Sequence, residues 1–198
     1  MGELRKNIKE LIIESGSKIK AKRSAESWFE NGKKKSKEKS IQSTSNRFLP
    51  GKIYVFRYSP KYIDKLPWFD SNPVVLALNS VDNNDLGINL NLLPIKVKED
   101  MLDRIYGVYS DEIASQSVGG RKNDATRQGM LSINWEESKA YLKATGYDFA
   151  IRQYIPSRKS NQAVVSYENW AKIVLCDFAD LNGTSYNELF REFTNRRK

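Results

Sequence analysis

Residues 51–60 read GKIYVFRYSP, and this stretch decides the fold. Ile53 and Val55 alternate with Tyr54, Phe56 and Tyr58, so branched and aromatic side chains fall on both faces of an extended segment, and the pattern predicts a strand. Downstream, PVVLALNS (73–80) is a continuous apolar run, which predicts a strand buried on both sides. VDNNDLG (81–87) supplies turn residues and ends on Gly87. GINLNLLP (87–94) then sets Ile88, Leu90 and Leu92 against Asn89 and Asn91, a third strand with one buried face and one polar face.

Three short strands in a meander predict an α+β chain built on a small SH3-like half-open β-barrel, its open edge covered by N-terminal helices. Between the first two strands, SPKYIDKLPWFDSN (59–72) is too long for a tight hairpin and resembles the long loop that folds over one end of such a barrel. Pro67 and Pro73 fix the backbone on either side of WFDSN. Trp68 and Phe69 are expected to cap the barrel mouth, and a core Trp68 would cost about 3–5 kcal/mol on truncation to alanine. Asp70 is expected to bond local backbone amides in an Asx-type turn.

Toward the N-terminus, Leu4, Ile8, Leu11, Ile12 and Ile19 recur at helical spacing and predict one or two amphipathic helices, broken near Ser15-Gly16-Ser17. Ser24 can cap the second, which carries Trp28 and Phe29. NGKKKSKEKSIQSTSN (31–46) offers nothing to bury and predicts a linker ordered only against a partner. The chain therefore divides into a basic, partly helical arm, residues 1–47, and a barrel core with C-terminal helices, residues 48–198, in which 111–130 is a mobile or partner-ordered insertion. Removal of the arm is expected to leave a folded protein that no longer assembles.

Beyond the barrel, Val97, Met101, Leu102, Ile105 and Tyr106 predict a helix ending near Gly107. NWEESKAYL predicts another, with Asn134 as cap and Glu137 at the capping-box position. A strand is expected over 163–165, then a helix or extended apolar segment from Trp170 to Phe178, a turn at Asn182-Gly183 and a final helix with a basic tip.

Composition narrows the chemistry. The 198 residues contain 33 Lys and Arg, 24 Asp and Glu and no histidine, for a net charge of +9. Residues 1–47 hold 13 Lys and Arg against 6 Glu, a net +7 of that total. Without histidine, triads and most zinc hydrolase layouts are excluded, and an enzyme is not expected. No cofactor or metal signature is present; Asp82 and Asp85 lack the ligand spacing of a calcium loop. Cys176, the single cysteine, sits in IVLCDF and reads as a core hydrophobe. No apolar run is long enough for a membrane span or signal segment, which predicts a product of the cytoplasm with no membrane partner.

The block RFLPGKIYVFRYSPKYIDKLPWFDSNPVVLALN, followed by LGINLNLLP, resembles a family of virion proteins of large tailed bacteriophages, and AESWFENGKK upstream resembles that family's short aromatic segment. The resemblance implies a structural protein made in the bacterial host and carried in the virion, either a neck or head-completion component or a protector of packaged DNA ends. The family's His-Tyr pair is Asn91-Leu92 here, so no role of that histidine transfers.

Three functions follow. The main one is a non-enzymatic ring protein at the portal vertex, a neck or head–tail connector assembled as a homo-oligomer against portal, neck or tail proteins. Trp68, Phe69, Asp70, Trp28 and Phe29 are its interface candidates. The alternative is a DNA-end-binding protector whose Lys33, Lys34, Lys35, Lys37 and Lys39 contact phosphates of packaged DNA, with steep salt dependence. A third, an endoribonuclease toxin of PemK type, is suggested by G-K-I-Y followed by P-V-V-L-A-L, but Asn72 stands where those toxins carry an arginine.

Overall fold

The computed structural model describes residues 2–38, 47–66, 68–105, 136, 138–176, 181 and 184–195, and the statements below concern these. The strands are β1 (Ile53–Tyr58), β2 (Val74–Val81), β3 (Asn84–Asn89), β4 (Ile151–Tyr154) and β5 (Lys159–Val165). They form one antiparallel sheet in the order β4-β3-β2-β1-β5. The expected meander is β1 to β3. No strand was expected at β4, and only the last three residues of β5 were expected to be extended.

The β2–β3 hairpin turns on Asp82 and Asn83, with φ of 50° and 62°. Two consecutive left-handed residues suit the twist of the flanking strands, and short polar side chains tolerate that conformation. The third strand therefore starts at Asn84, earlier than expected, and stops at Asn89, after which Leu90–Leu92 form a 3-10 turn. Gly87 lies inside β3 rather than closing the turn. A Cβ there would collide with Val75 Cγ1 and come within 2.9 Å of the Leu76 carbonyl oxygen. Asn89 and Asn91, expected on a polar face, are both buried.

The sheet curls until its edges approach. Three strand spacings separate β1 from β4, and β5 from β3, which in a flat sheet is about 14 Å. Yet the rings of Phe56 and Tyr154 lie 5.2 Å apart, and Lys159 Nζ is 2.5 Å from Asp85 Oδ2. The 3-10 turn Pro156–Arg158 carries the chain from one edge of the sheet to the other. The result is the expected half-open barrel on an α+β frame.

Continuous apolarity in β2 serves both faces. Val75 and Ala77 point inward with Phe48, Tyr54, Phe56 and Tyr154, while Val74, Leu76 and Leu78 join Ile53 and Ile88 in the core under the helices. The barrel interior is aromatic, with Phe48 stacked on Tyr54 at 4.7 Å. It also holds a buried charge pair: Asp85 receives Lys159, while Arg47 Nε stands 3.1 Å from its other oxygen. Arg47 additionally donates to the Asn83 carbonyl at 2.7 Å, which fastens the entry strap across the hairpin.

The helices are α1 (Glu3–Glu14), α2 (Lys18–Glu38), α3 (95–105), α4 (138–145), α5 (Trp170–Leu175) and α6 (Tyr186–Asn195). Gly16, with φ of 76°, breaks α1 from α2 as expected. Ser17 is the residue at the start of α2, its Oγ accepting the Lys20 amide at 3.2 Å, so Ser24 falls inside the helix and caps nothing. The helix continues to Glu38, where a linker was expected. Lys and Glu are good helix formers, and a single interior glycine costs only about 1 kcal/mol.

Leu4, Ile8, Ala21, Ala25 and Phe29 share one apolar cluster with Trp170, Ile173 and Val174 and with the outer face of the barrel. Both α1 and α2 pack on α5. Arg5 pairs with Glu99, Asp100 and Asp103 of α3. Asp100 also accepts from Tyr141 of α4. Cys176 is buried, as its apolar setting implied, and its carbonyl receives the buried Lys98 Nζ. Residues 39–46, Pro67, Tyr106 and Gly107, the 111–130 insertion, Asn134, Glu137, Phe178, Asn182, Gly183 and the basic tip lie outside the described residues.

Candidate functional site

A cleft of about 330 Å³ opens at the barrel mouth. Tyr58 from the end of β1 and Arg152 and Tyr154 from β4 form its floor, the 59–73 loop supplies Pro60, Leu66, Trp68 and Phe69 as a wall, and Asp70 and Asn89 lie at its back. Gln153 of β4 and Glu192 of α6 complete the lining. Period-two alternation explains the floor, since Tyr58 follows Tyr54 and Phe56 on the inner face, and Arg152 and Tyr154 share one face of β4.

Asp70 anchors the loop. One carboxylate oxygen accepts the Asn72 amide at 3.0 Å, the expected Asx turn. The other accepts from Asn89 Nδ2 at 3.0 Å and Asn91 Nδ2 at 2.7 Å. Asn91 therefore ties the loop to the segment that follows β3. Asp70→Ala is expected to cost about 1–3 kcal/mol, because buried amides lose their acceptor. Urea unfolding reads the loss, and amide exchange at Asn72 should quicken; an unchanged midpoint with unchanged exchange would remove Asp70 as the anchor.

The floor holds two polar groups that the protein leaves unanswered. Tyr154 is 4% exposed, and its hydroxyl has no hydrogen-bond partner. Asn89 lies beside it, its oxygen accepting the Asn91 amide and its nitrogen donating to Asp70. Burial, then the Asp70 carboxylate, raises the Tyr154 hydroxyl well above the usual tyrosine value, so it remains a proton donor. The Arg152 guanidinium lies 4.6 Å from the Trp68 ring centre, with Nη2 buried and unpartnered. Burial lowers its pKa from the ordinary arginine value, opposed by Tyr154.

The structure gathers Trp68, Phe69 and Asp70 at this cleft. Trp68 is half-buried: it packs against the main apolar cluster and meets the Arg152 guanidinium, without being enclosed as a core ring. The other two interface candidates sit elsewhere: Phe29 is buried in the core, and Trp28 is half-buried beneath Lys172. Lys33, Lys34, Lys35 and Lys37 lie on the backbone of the last turns of α2, and Lys39 falls outside the described residues. Arg152 and Tyr154 were missed because the IRQY strand carries no strong strand signal, although Tyr58 was legible as an inner-face residue of β1. Among the described residues, no three His, Cys, Asp or Glu side chains converge to hold a metal ion.

A protein family described as the phage T4 terminal DNA protecting protein matches residues 1–188. The chain belongs to that family. It is thus a bacteriophage protein of a DNA-protecting family, which favours the DNA-end alternative over the connector reading. No curated protein and no solved structure matches the chain. Among the described residues, no helix is long and apolar enough to cross a membrane.

Proposed function

We propose that this chain is a non-enzymatic, virion-carried protein that binds the ends of packaged phage DNA and shields them from exonucleases. The family match over 1–188 carries the reading. Charge supports it: the chain is +9, and Lys61 and Lys65 are exposed on the loop that walls the cleft. Lys33, Lys34, Lys35, Lys37 and Lys39 add a basic run on and just beyond the end of α2, suited to phosphates. Such contacts release counterions and weaken steeply with salt.

The purified protein is expected to protect linear duplex from a processive exonuclease. Replacing the five lysines with glutamine should flatten the salt dependence of binding, by about 0.9 in log–log slope for each phosphate no longer neutralised. Digestion of linear duplex at the same rate with and without the protein would overturn the proposal.

A further inference from the structure

We propose that the cleft at the barrel mouth is a pocket for a single unpaired nucleobase, and that it holds the last nucleotide of a DNA end. This rests on the DNA-end reading above and assigns that reading a recognition site.

Flat aromatic rings line the cleft: Tyr58 on its floor, Trp68 and Phe69 on its wall. Two residues that line it carry buried polar atoms, the Tyr154 hydroxyl and Arg152 Nη2, for which the protein supplies no hydrogen-bond partner. Buried polar atoms without partners are uncommon, and two on residues lining one cleft point to a ligand with polar edges. An isolated phosphate fits poorly. The single guanidinium is accompanied by the carboxylates of Asp70 and Glu192, so an anion would meet more negative than positive charge. A purely apolar ligand would leave both floor groups unpaired. An uncharged ring with a π face and carbonyl or ring-nitrogen acceptors satisfies all of them at once: it stacks on the wall, accepts from Arg152 Nη2 and accepts from the Tyr154 hydroxyl.

The rim fits the rest of a nucleotide. Lys61 and Lys65 lie over the exposed Tyr62 ring at 5.2 and 5.9 Å, on the loop whose Pro60 and Leu66 line the cleft. They can meet the phosphates of the strand leading into the pocket. At about 330 Å³ the cleft has room for one base with part of its sugar but not for a base pair and its backbones. A base inside a duplex must be unstacked and flipped to enter, whereas a frayed or overhanging end offers one at little cost. Selection for ends follows from the size of the cleft.

The test uses the full chain and short duplexes carrying 2-aminopurine at the 5′-terminal, 3′-terminal or central position, with matched duplexes closed by hairpins at both ends. One terminal probe is expected to change its emission on binding while the central probe does not. Tyr154→Phe, which deletes only the hydroxyl, and Arg152→Met are each expected to weaken binding to open-ended duplex by about ten-fold, and to leave hairpin-closed duplex unaffected. Circular dichroism and thermal unfolding of the variants confirm that they fold. Equal responses from central and terminal probes, or folded variants that bind open ends as the wild type does, would overturn the pocket. If the wild type still blocks the exonuclease in that case, the pocket alone fails and the DNA-end reading stands. A wild type that neither blocks the exonuclease nor prefers open ends defeats both.

Discussion

Asp85→Asn is expected to destabilise the protein by about 3–5 kcal/mol, since it removes one partner of a buried charge pair and leaves the other uncompensated. Asp85 and the Lys159 side chain are both fully buried, and the ammonium lies against the Phe48 ring at 3.9 Å. Burial lowers the Lys159 pKa from its ordinary value, and the hydrogen bond and charge of Asp85 oppose that shift. Deleting the carboxylate leaves burial and the nearby Arg47 charge unopposed, so the folded-state pKa falls further. The folded protein then binds fewer protons than the unfolded chain over a wider range below the usual lysine value, and within that range stability rises with pH. The deficit of Asp85→Asn should therefore be largest near neutrality and shrink as the solution is made alkaline. A paired variant, Asp85→Leu with Lys159→Met, removes both fully buried charges, leaves only the partly exposed Arg47 without its carboxylate, and should recover most of the loss. Urea denaturation at two pH values measures all of this. A single variant within about 1 kcal/mol of wild type would show that the pair is solvated and that the barrel does not close on it.

That pair also marks the limit of what could be read from the chain. Local patterns were legible: the alternation in β1, the unbroken apolar run of β2, the break at Gly16 and the Asx turn at Asp70 each follow from neighbours in sequence. Closure of the barrel was not, because it depends on residues 74 apart that look like ordinary surface charges. IRQY and KSNQAVV are edge strands with polar outer faces, and so lack the hydrophobic contrast by which strands announce themselves. The cleft inherits this blindness. Its loop wall stood out through Trp68 and Phe69, whereas its floor comes from β4, and only the curl of the sheet brings Tyr154 against Tyr58, with ring centres 5.1 Å apart. The polar face expected of Asn89 and Asn91 failed for a related reason. The Asp70 carboxylate, supplied by a distant loop, accepts from both side chains and holds them inward.

Removal of residues 2–16 is expected to cost most of the protein's stability, against the simple reading of a basic N-terminal run as a detachable arm. Charge composition drew attention to what α1 exposes, yet its apolar stripe is what the core uses. Leu4 is completely buried and Ile8 is 6% exposed, in the same cluster as Trp170, Ile173 and the outer face of the barrel. Emptying one such site costs about 2–5 kcal/mol, so losing both approaches the whole of the roughly 5–15 kcal/mol of a typical domain. Arg5 adds its ties to Glu99, Asp100 and Asp103, and its loss would leave three carboxylates close together on α3. The single variant Leu4→Ala isolates the packing part and should cost about 2–5 kcal/mol. Arg5→Met isolates the electrostatic part, with a smaller loss because the site is partly solvated. A truncated protein that unfolds at the wild-type urea concentration, with unchanged amide exchange in α5, would return α1 to the role of a tether. The expected outcome places it in the core, so that any partner engaging the basic residues of α2 pulls on a helix packed against α5 rather than on a free strand.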